Sequence, residues 1–284
     1  MEIKGLGNVY SDQDGAIFGN YMFRFSSRGK CNVYDLRNTL TAEASSVIAS
    51  FTLDKAEVIV PHSNAVAFGR EYYEEGDEFP LLYSNIYNNY AKLEDRLVGI
   101  CCVYRILREG DGFSSKLVQL IEIGFKDDRA LWCSSDGTED VRPYGNFAVD
   151  RENGIYYAFV MRDGDKATRY FSFDLPKLGD GEIDERYGVR RAVLKKEDIK
   201  TFFDTPYHNY VQGACVHGGL IYSLEGFSKK MPAIRIIDPA KEAQTAHFDF
   251  TDYGLDIEPE FIDFYGDRCI YSDADGNVFE LIFK

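Results

Sequence analysis

The chain has 284 residues, 45% of them hydrophobic, enough for one large domain or two ordinary ones. Its 47 acidic and 32 basic side chains leave a net charge of -15, a surface that repels phosphate backbones and anionic headgroups and so argues against nucleic-acid and membrane-surface partners. No run approaches the roughly 18 apolar residues of a membrane-spanning helix, and Met1-Glu2-Ile3-Lys4-Gly5 lacks a basic stretch followed by an apolar one, so a cytoplasmic protein without a signal peptide is expected.

Twenty Tyr and 21 Phe against one Trp favour strands, because these rings suit half-buried pleated surfaces. Residues 1–7 read as a lone strand. A hairpin follows at 16–25, a third strand at 32–36 ending in Asp35, and a fourth at 47–53. The opening phrase, small or apolar strand, tight turn, apolar-aromatic strand, then returns at Ala65, Phe147, Ala214 and Phe261. Third strands recur at 171–176 and 234–239, each with an Asp that starts a turn by bonding its own backbone. Fourth strands are expected at 116–125, 190–194 and 245–250.

The two longer intervals between repeats require insertions. One is expected at 70–80 and 85–95, the other at 178–187 together with 195–209, where 195–200 reads as a short helical turn. A divergent repeat of four strands is the plan of a propeller blade. The expected fold is therefore all-β: a single domain over 1–284, a five-bladed β-propeller of four-stranded antiparallel blades. Its last blade, which lacks a fourth strand, takes residues 1–7 as its outer strand and so closes the ring. Six blades are the alternative, with the sixth hidden in the strand-like residues 97–107 and 116–125.

Loops leading into the inner strands of a propeller converge on one mouth of its channel. In this chain they are polar: Asp12, Gln13 and Asp14; His62, Ser63 and Asn64; Tyr144 and Asn146; Gln212; Glu258 and Glu260. Aromatic residues accompany them at Tyr87, Tyr90, Tyr144, Tyr207 and Tyr210, with His208 among them. Rings that stack on sugar faces, beside amides and carboxylates that take hydroxyls, suit a small polar or carbohydrate ligand. Glycoside hydrolysis is the alternative, with a carboxylate pair drawn from Asp14, Glu258 and Glu260, and Asp150 and Asp263 further along the inner strands. A protein-interaction scaffold using the blade faces and the 70–95 insertion is a third reading.

No metal or cofactor is expected. Asp12-Gln13-Asp14-Gly15 and Asp273-Ala274-Asp275-Gly276 lack the twelfth-position acid of a calcium loop. His62, His208, His217 and His247 form no zinc-type pairing, and no GxSxG, Walker A or helix-opening GxGxxG occurs. Asp275-Gly276, Asp111-Gly112, Asp136-Gly137 and Asp163-Gly164 read as hairpin turns. The six cysteines, Cys31, Cys101, Cys102, Cys133, Cys215 and Cys269, have no CxxC spacing and read as reduced thiols.

The stretches 16–25 with 32–36, 62–69, 146–150, 213–222 with 234–239, and 260–271 resemble bacterial β-propeller proteins of uncharacterised function over essentially the whole chain. No Trp-Asp dipeptide ends a strand, unlike WD40 repeats, and the Ser-x-Asp-x-Gly-x-Thr-Trp box of sialidases is missing. Asp14 stands where the five-bladed arabinanase and fructosidase families place a catalytic Asp, although the residues around it do not match theirs.

Overall fold

The computed structural model describes residues 1–10, 13–39, 47–87, 91–208 and 210–283. Strand β1 (Glu2–Asn8) comes first. Blade 1 then consists of β2 (Gly15–Phe18), β3 (Tyr21–Ser26), β4 (Lys30–Asp35) and β5 (Val47–Thr52). Blade 2 begins with β6 (Val66–Phe68), β7 (Leu82–Asn85), β8 (Ile100–Glu109) and β9 (Gly112–Ile123). Blade 3 holds β10 (Asn146–Asp150), β11 (Ile155–Arg162) and β12 (Ala167–Asp174). After these come β13 (Glu182–Asp184), β14 (Val189–Leu194) and β15 (Thr201–Pro206). Blade 4 has β16 (Val211–His217), β17 (Leu220–Phe227), β18 (Lys230–Asp238) and β19 (Ala243–Asp249). Blade 5 has β20 (Pro259–Tyr265), β21 (Arg268–Asp273) and β22 (Asn277–Ile282).

The architecture is the expected five-bladed propeller. The strands at 97–107 and 116–125 belong to blade 2 as β8 and β9, which removes the sixth blade. Strand β1 pairs antiparallel with β22, Glu2 facing Ile282, and supplies the outer strand of blade 5. This end-to-end pairing leaves short edges and closes the ring.

Two sequence expectations need correction. The fourth strand of blade 3 is β15, paired with β12 from Ser172–Thr201 to Ala167–Pro206, and not residues 190–194. Residues 190–194 instead lie in β14, which runs parallel to β9, and with β13 they make blade 2 six-stranded. The insertion is drawn there by specific bonds. Gln119, fully buried on β9, donates its Nε2 to the Lys177 carbonyl at 2.6 Å; Arg191 meets Glu122 at 2.9 Å; the Gly124 amide donates to the Leu194 carbonyl. Leu194 and Tyr187 then sink into the cores beside blade 2. The second correction is Asp136-Gly137, which turns within the loop between blades 2 and 3 and joins no paired strands. The short helical turn expected at 195–200 is present as a 3-10 turn over Lys196–Asp198.

Period-two alternation sends successive side chains of each blade into opposite wedges. On β3, Phe23 and Phe25 enter the wedge shared with blade 2, while Met22 enters the wedge shared with blade 5. On β11, Tyr156, Ala158 and Val160 face blade 2, and Tyr157, Phe159 and Met161 face blade 4. Both faces of every blade are therefore buried, which accounts for the abundance of Tyr and Phe.

Five apolar clusters fill the five wedges. The seam between blades 5 and 1 has the smallest, built on Leu6, Val9, Ile17, Met22, Tyr34, Leu36, Phe261, Ile270 and Val278. Arg24 completes it. Fully buried, Arg24 donates to Ser272 Oγ and to the Gln13 carbonyl (2.8 Å), and its guanidinium lies 4.4 Å from the centre of the Phe261 ring. All six cysteines are thiols.

Candidate functional site

The inner strand of each blade is an edge strand, and its unpaired main-chain groups need partners. The polar residues singled out in the sequence supply them. Asp14 of blade 1 accepts the Val66 amide of blade 2 at 2.8 Å. Asn85 of blade 2 donates to Asn146 Oδ1 of blade 3 at 2.8 Å, and Asn146 donates in turn to the Val211 carbonyl of blade 4. Gln212 of blade 4 donates to Glu258, whose other oxygen accepts the Ser228 amide at 2.7 Å. Asp263 of blade 5 accepts the Ile17 amide of blade 1 at 2.6 Å. Every wedge is crossed by a hydrogen bond close to the axis.

These bonds settle where most of the expected site residues go. Asp14 and Glu260 are buried, at 0% and 4% exposure. A Cβ at Gly213 would lie 3.1 Å from both Asp14 Oδ1 and the Glu260 carbonyl, so groups from blades 1, 4 and 5 converge on the axis there. Burial pushes the Asp14 carboxyl well above the usual carboxylate range, against the pull of the Gly15 and Val66 amides and Arg24. Gln13 is buried, and its carbonyl serves Arg24. No sugar could lie between Asp14 and Glu260, because neither carboxylate faces an open cleft. Asp12 lies outside the described residues, as do Asn88, Asn89, Tyr90 and Asn209.

His208 is fully buried away from the mouth, its ring nitrogens 3.5 Å from Tyr170 Oη and Thr205 Oγ1. Burial, with Arg235 nearby, holds its imidazole well below the ordinary value. It is a neutral packing residue between blades 3 and 4.

The upper mouth, where inner strands begin, keeps His62, Asn64, Tyr144 and Asn146 together on one side. The His62 ring meets Tyr87 edge-on at 5.0 Å, and Tyr87 meets Tyr144 at 4.6 Å. Asn64, Tyr87, Arg142, Tyr144 and Asn146 line a cleft of about 10 Å³, floored by Phe159, Met161 and Val211. A second cleft of about 30 Å³, lined by Val141, Arg142, Met161, Asp163, Tyr207 and Tyr210, adjoins it. Both share Arg142 and Met161, so they form one depression divided by the Arg142 side chain.

Asn64 Oδ1 is buried in this wall without a partner among the described residues. Ser63, Tyr87 and Tyr210 all take left-handed backbone angles (φ 60°, 33° and 56°), a strain that tends to gather at binding surfaces. Arg142, which lines both clefts, is absent from the sequence-derived set; its only signal there was its place beside Pro143-Tyr144.

At the lower mouth a cleft of about 20 Å³ is lined by Arg151, Cys215, His217, Asp263 and Phe264 among others. That is room for a water molecule. The His217 ring stacks on Phe264 at 3.8 Å. Burial raises Asp263 to about 6 and pushes the Cys215 thiol well up, the opposite of a reactive cysteine. A wider concavity, about 770 Å³, lies off the axis between the inserted hairpin and blade 3, with Phe173, Leu175, Ile183 and Leu194 in its wall and Asp174, Lys177, Glu182 and Lys195 among its charged residues. Among the described residues no group of three His, Cys, Asp or Glu side chains is arranged to hold a metal ion.

The chain's fold is similar to that of the glutaminyl cyclase of Myxococcus xanthus, with a TM-score of 0.50 and 11% identity over 99% of this chain and 93% of that one. BamB of Moraxella catarrhalis superposes with a TM-score of 0.37 at 10% identity over 100% of this chain and 98% of that one. Saccharomyces cerevisiae Sqt1 gives 0.36 at 8% identity, over 92% of this chain and 55% of its own. No protein-family model matches the chain, and neither does any curated protein. At 11% identity the likeness to the cyclase bears on the propeller fold alone, a class that serves ligand binding and interaction generally.

Proposed function

We propose that the protein is a non-catalytic binding propeller on whose upper mouth a small hydroxyl-rich molecule, a carbohydrate, rests against the rims of the two small clefts and not within them. The observation that carries this is the grouping of Tyr87 and Tyr144 with the amides of Asn64 and Asn146 around one cleft of the mouth. Rings of this kind offer apolar faces to a sugar, and amides suit its hydroxyls. The hydrolase alternative is the weaker at this mouth, because Asp14 and Glu260 are both buried at the axis.

A glycan array probed with wild type and Tyr144→Ala tests the reading. Wild type is expected to retain a subset of glycans and the variant to lose them at least about tenfold. Equal binding by the variant would remove the mouth from consideration.

The off-axis groove favours a second reading, an interaction platform. Of the 70–95 insertion, the 70–80 part is fastened to its own blade: Arg105 pairs with Glu74 and Asp77, Arg108 pairs with Glu78 at 3.0 Å, and Phe79 is buried. On the platform reading, excising 178–195 abolishes capture of a purified partner and leaves glycan retention intact.

A further inference from the structure

Arg142 stands out in the upper mouth. Like Arg28, Arg70, Arg129, Arg151 and Arg190 it has no acid partner among the described residues, and it lines both clefts of the upper mouth. Its guanidinium makes no hydrogen bond or ion pair among the described residues; it lies 4.5 Å from the centre of the Tyr210 ring and 5.4 Å from that of Tyr87. The acid nearest at hand, Asp163, is already engaged, accepting the Tyr207 hydroxyl and the Val141 amide.

The main chain on either side of Arg142 is pinned. Val141 N donates to Asp163 Oδ2 at 2.9 Å, the Pro143 carbonyl accepts Trp132 Nε1 at 3.0 Å, and the Tyr144 carbonyl accepts the Gly99 amide at 3.1 Å. The side chain is thus a half-buried cation held between two rings on a rigid support, its fork of N–H donors unspent. Arginine in this state is suited to bidentate recognition of a planar or tetrahedral oxyanion. Asn64 lines the same cleft, with its Oδ1 buried and without a partner among the described residues.

We infer that the mouth ligand is an anionic sugar, its oxyanion bound by the Arg142 guanidinium. This rests on the proposed carbohydrate reading and narrows it. The negative surface of the protein opposes the approach of such a ligand, so selectivity comes from contacts at the mouth and not from long-range steering.

The test is an array carrying neutral, carboxylated and phosphorylated or sulfated glycans, probed with wild type, Arg142→Lys and Arg142→Gln, with hits titrated by calorimetry. Thermal melts confirm that the variants are folded. Wild type is expected to bind acidic glycans, Arg142→Gln to lose about 10- to 100-fold, and Arg142→Lys to lose less, as fits the removal of a charge-assisted bond. The carboxylate and phosphate arms identify the oxyanion. Retention of neutral glycans alone, or acidic binding unchanged in Arg142→Gln, would overturn the inference while leaving the carbohydrate reading in place. Retention of no glycan at all would overturn both.

Discussion

Two buried titratable side chains pull the pH dependence of stability in opposite directions. His208 is held well below its ordinary value of 6.5, so below that pH the unfolded chain binds the proton that the folded chain refuses, and stability is lost as pH falls. Asp263 is raised to about 6 from 3.8, so between those values the folded state binds more protons and stability grows as pH falls. Asp14, its carboxyl also raised by burial, acts with Asp263. Denaturant titrations from pH 4 to 7 should show Asp263→Asn becoming steeply less stable toward acid, with His208→Gln doing the reverse, each by at most about 1.4 kcal/mol per pH unit. Parallel profiles for the two variants and wild type would refute these assignments. Arg24→Ala removes two buried hydrogen bonds and a ring contact and leaves a cavity; a loss of about 3 kcal/mol or more in urea unfolding is expected. The polar residues ahead of each inner strand were legible in the sequence because every repeat displayed them. Their spending on neighbouring blades was not, since each bond needs a partner from a blade whose position the pattern does not record.

Among elements, the inner hairpins and third strands stand where the repeat put them, because alternation and terminal Asp turns are local signals. The outer part of blade 3 was misread for a reason of the same kind. Arg190–Leu194 and Thr201–Pro206 both alternate, with Ala192 and Leu194 buried in one and Phe203 and Thr205 in the other, and alternation does not say which sheet a strand joins. Pro206, at the end of the true outer strand, is tolerated because that strand is an edge. The hairpin of β13 and β14 is accessory to the ring. Gly181, at φ 87°, has no room for a side chain: a Cβ there would lie 2.0 Å from the Arg191 carbonyl. Gly181→Ala should therefore loosen this hairpin alone, giving new proteolytic cleavage within 178–195 and a melting temperature within about 4 °C of wild type. A collapse of the whole fold would show the hairpin to be integral.

At the scale of the whole molecule, closure depends on one strand. Removing residues 1–8 strips β22 of its partner and uncovers the seam; circular dichroism should show loss of the cooperative melt, and a melt within about 3 °C of the full chain would refute the latch. The seam also orders events in time. Blade 1 leaves the ribosome first and blade 5 last, so every other wedge can be covered as soon as its second blade is made. The face of blade 1 that meets blade 5 must wait in water until nearly the entire chain exists. It belongs to the wedge with the smallest apolar cluster and carries the charge of Arg24. The surface that waits longest before being covered is thus made less adhesive by a buried cation, which protects the nascent chain from sticking to its neighbours. In pulse-labelled hydrogen exchange during refolding, the Ile17 amide, bonded across this seam to Asp263, is expected to gain protection after the Val66 amide, bonded across the first wedge to Asp14.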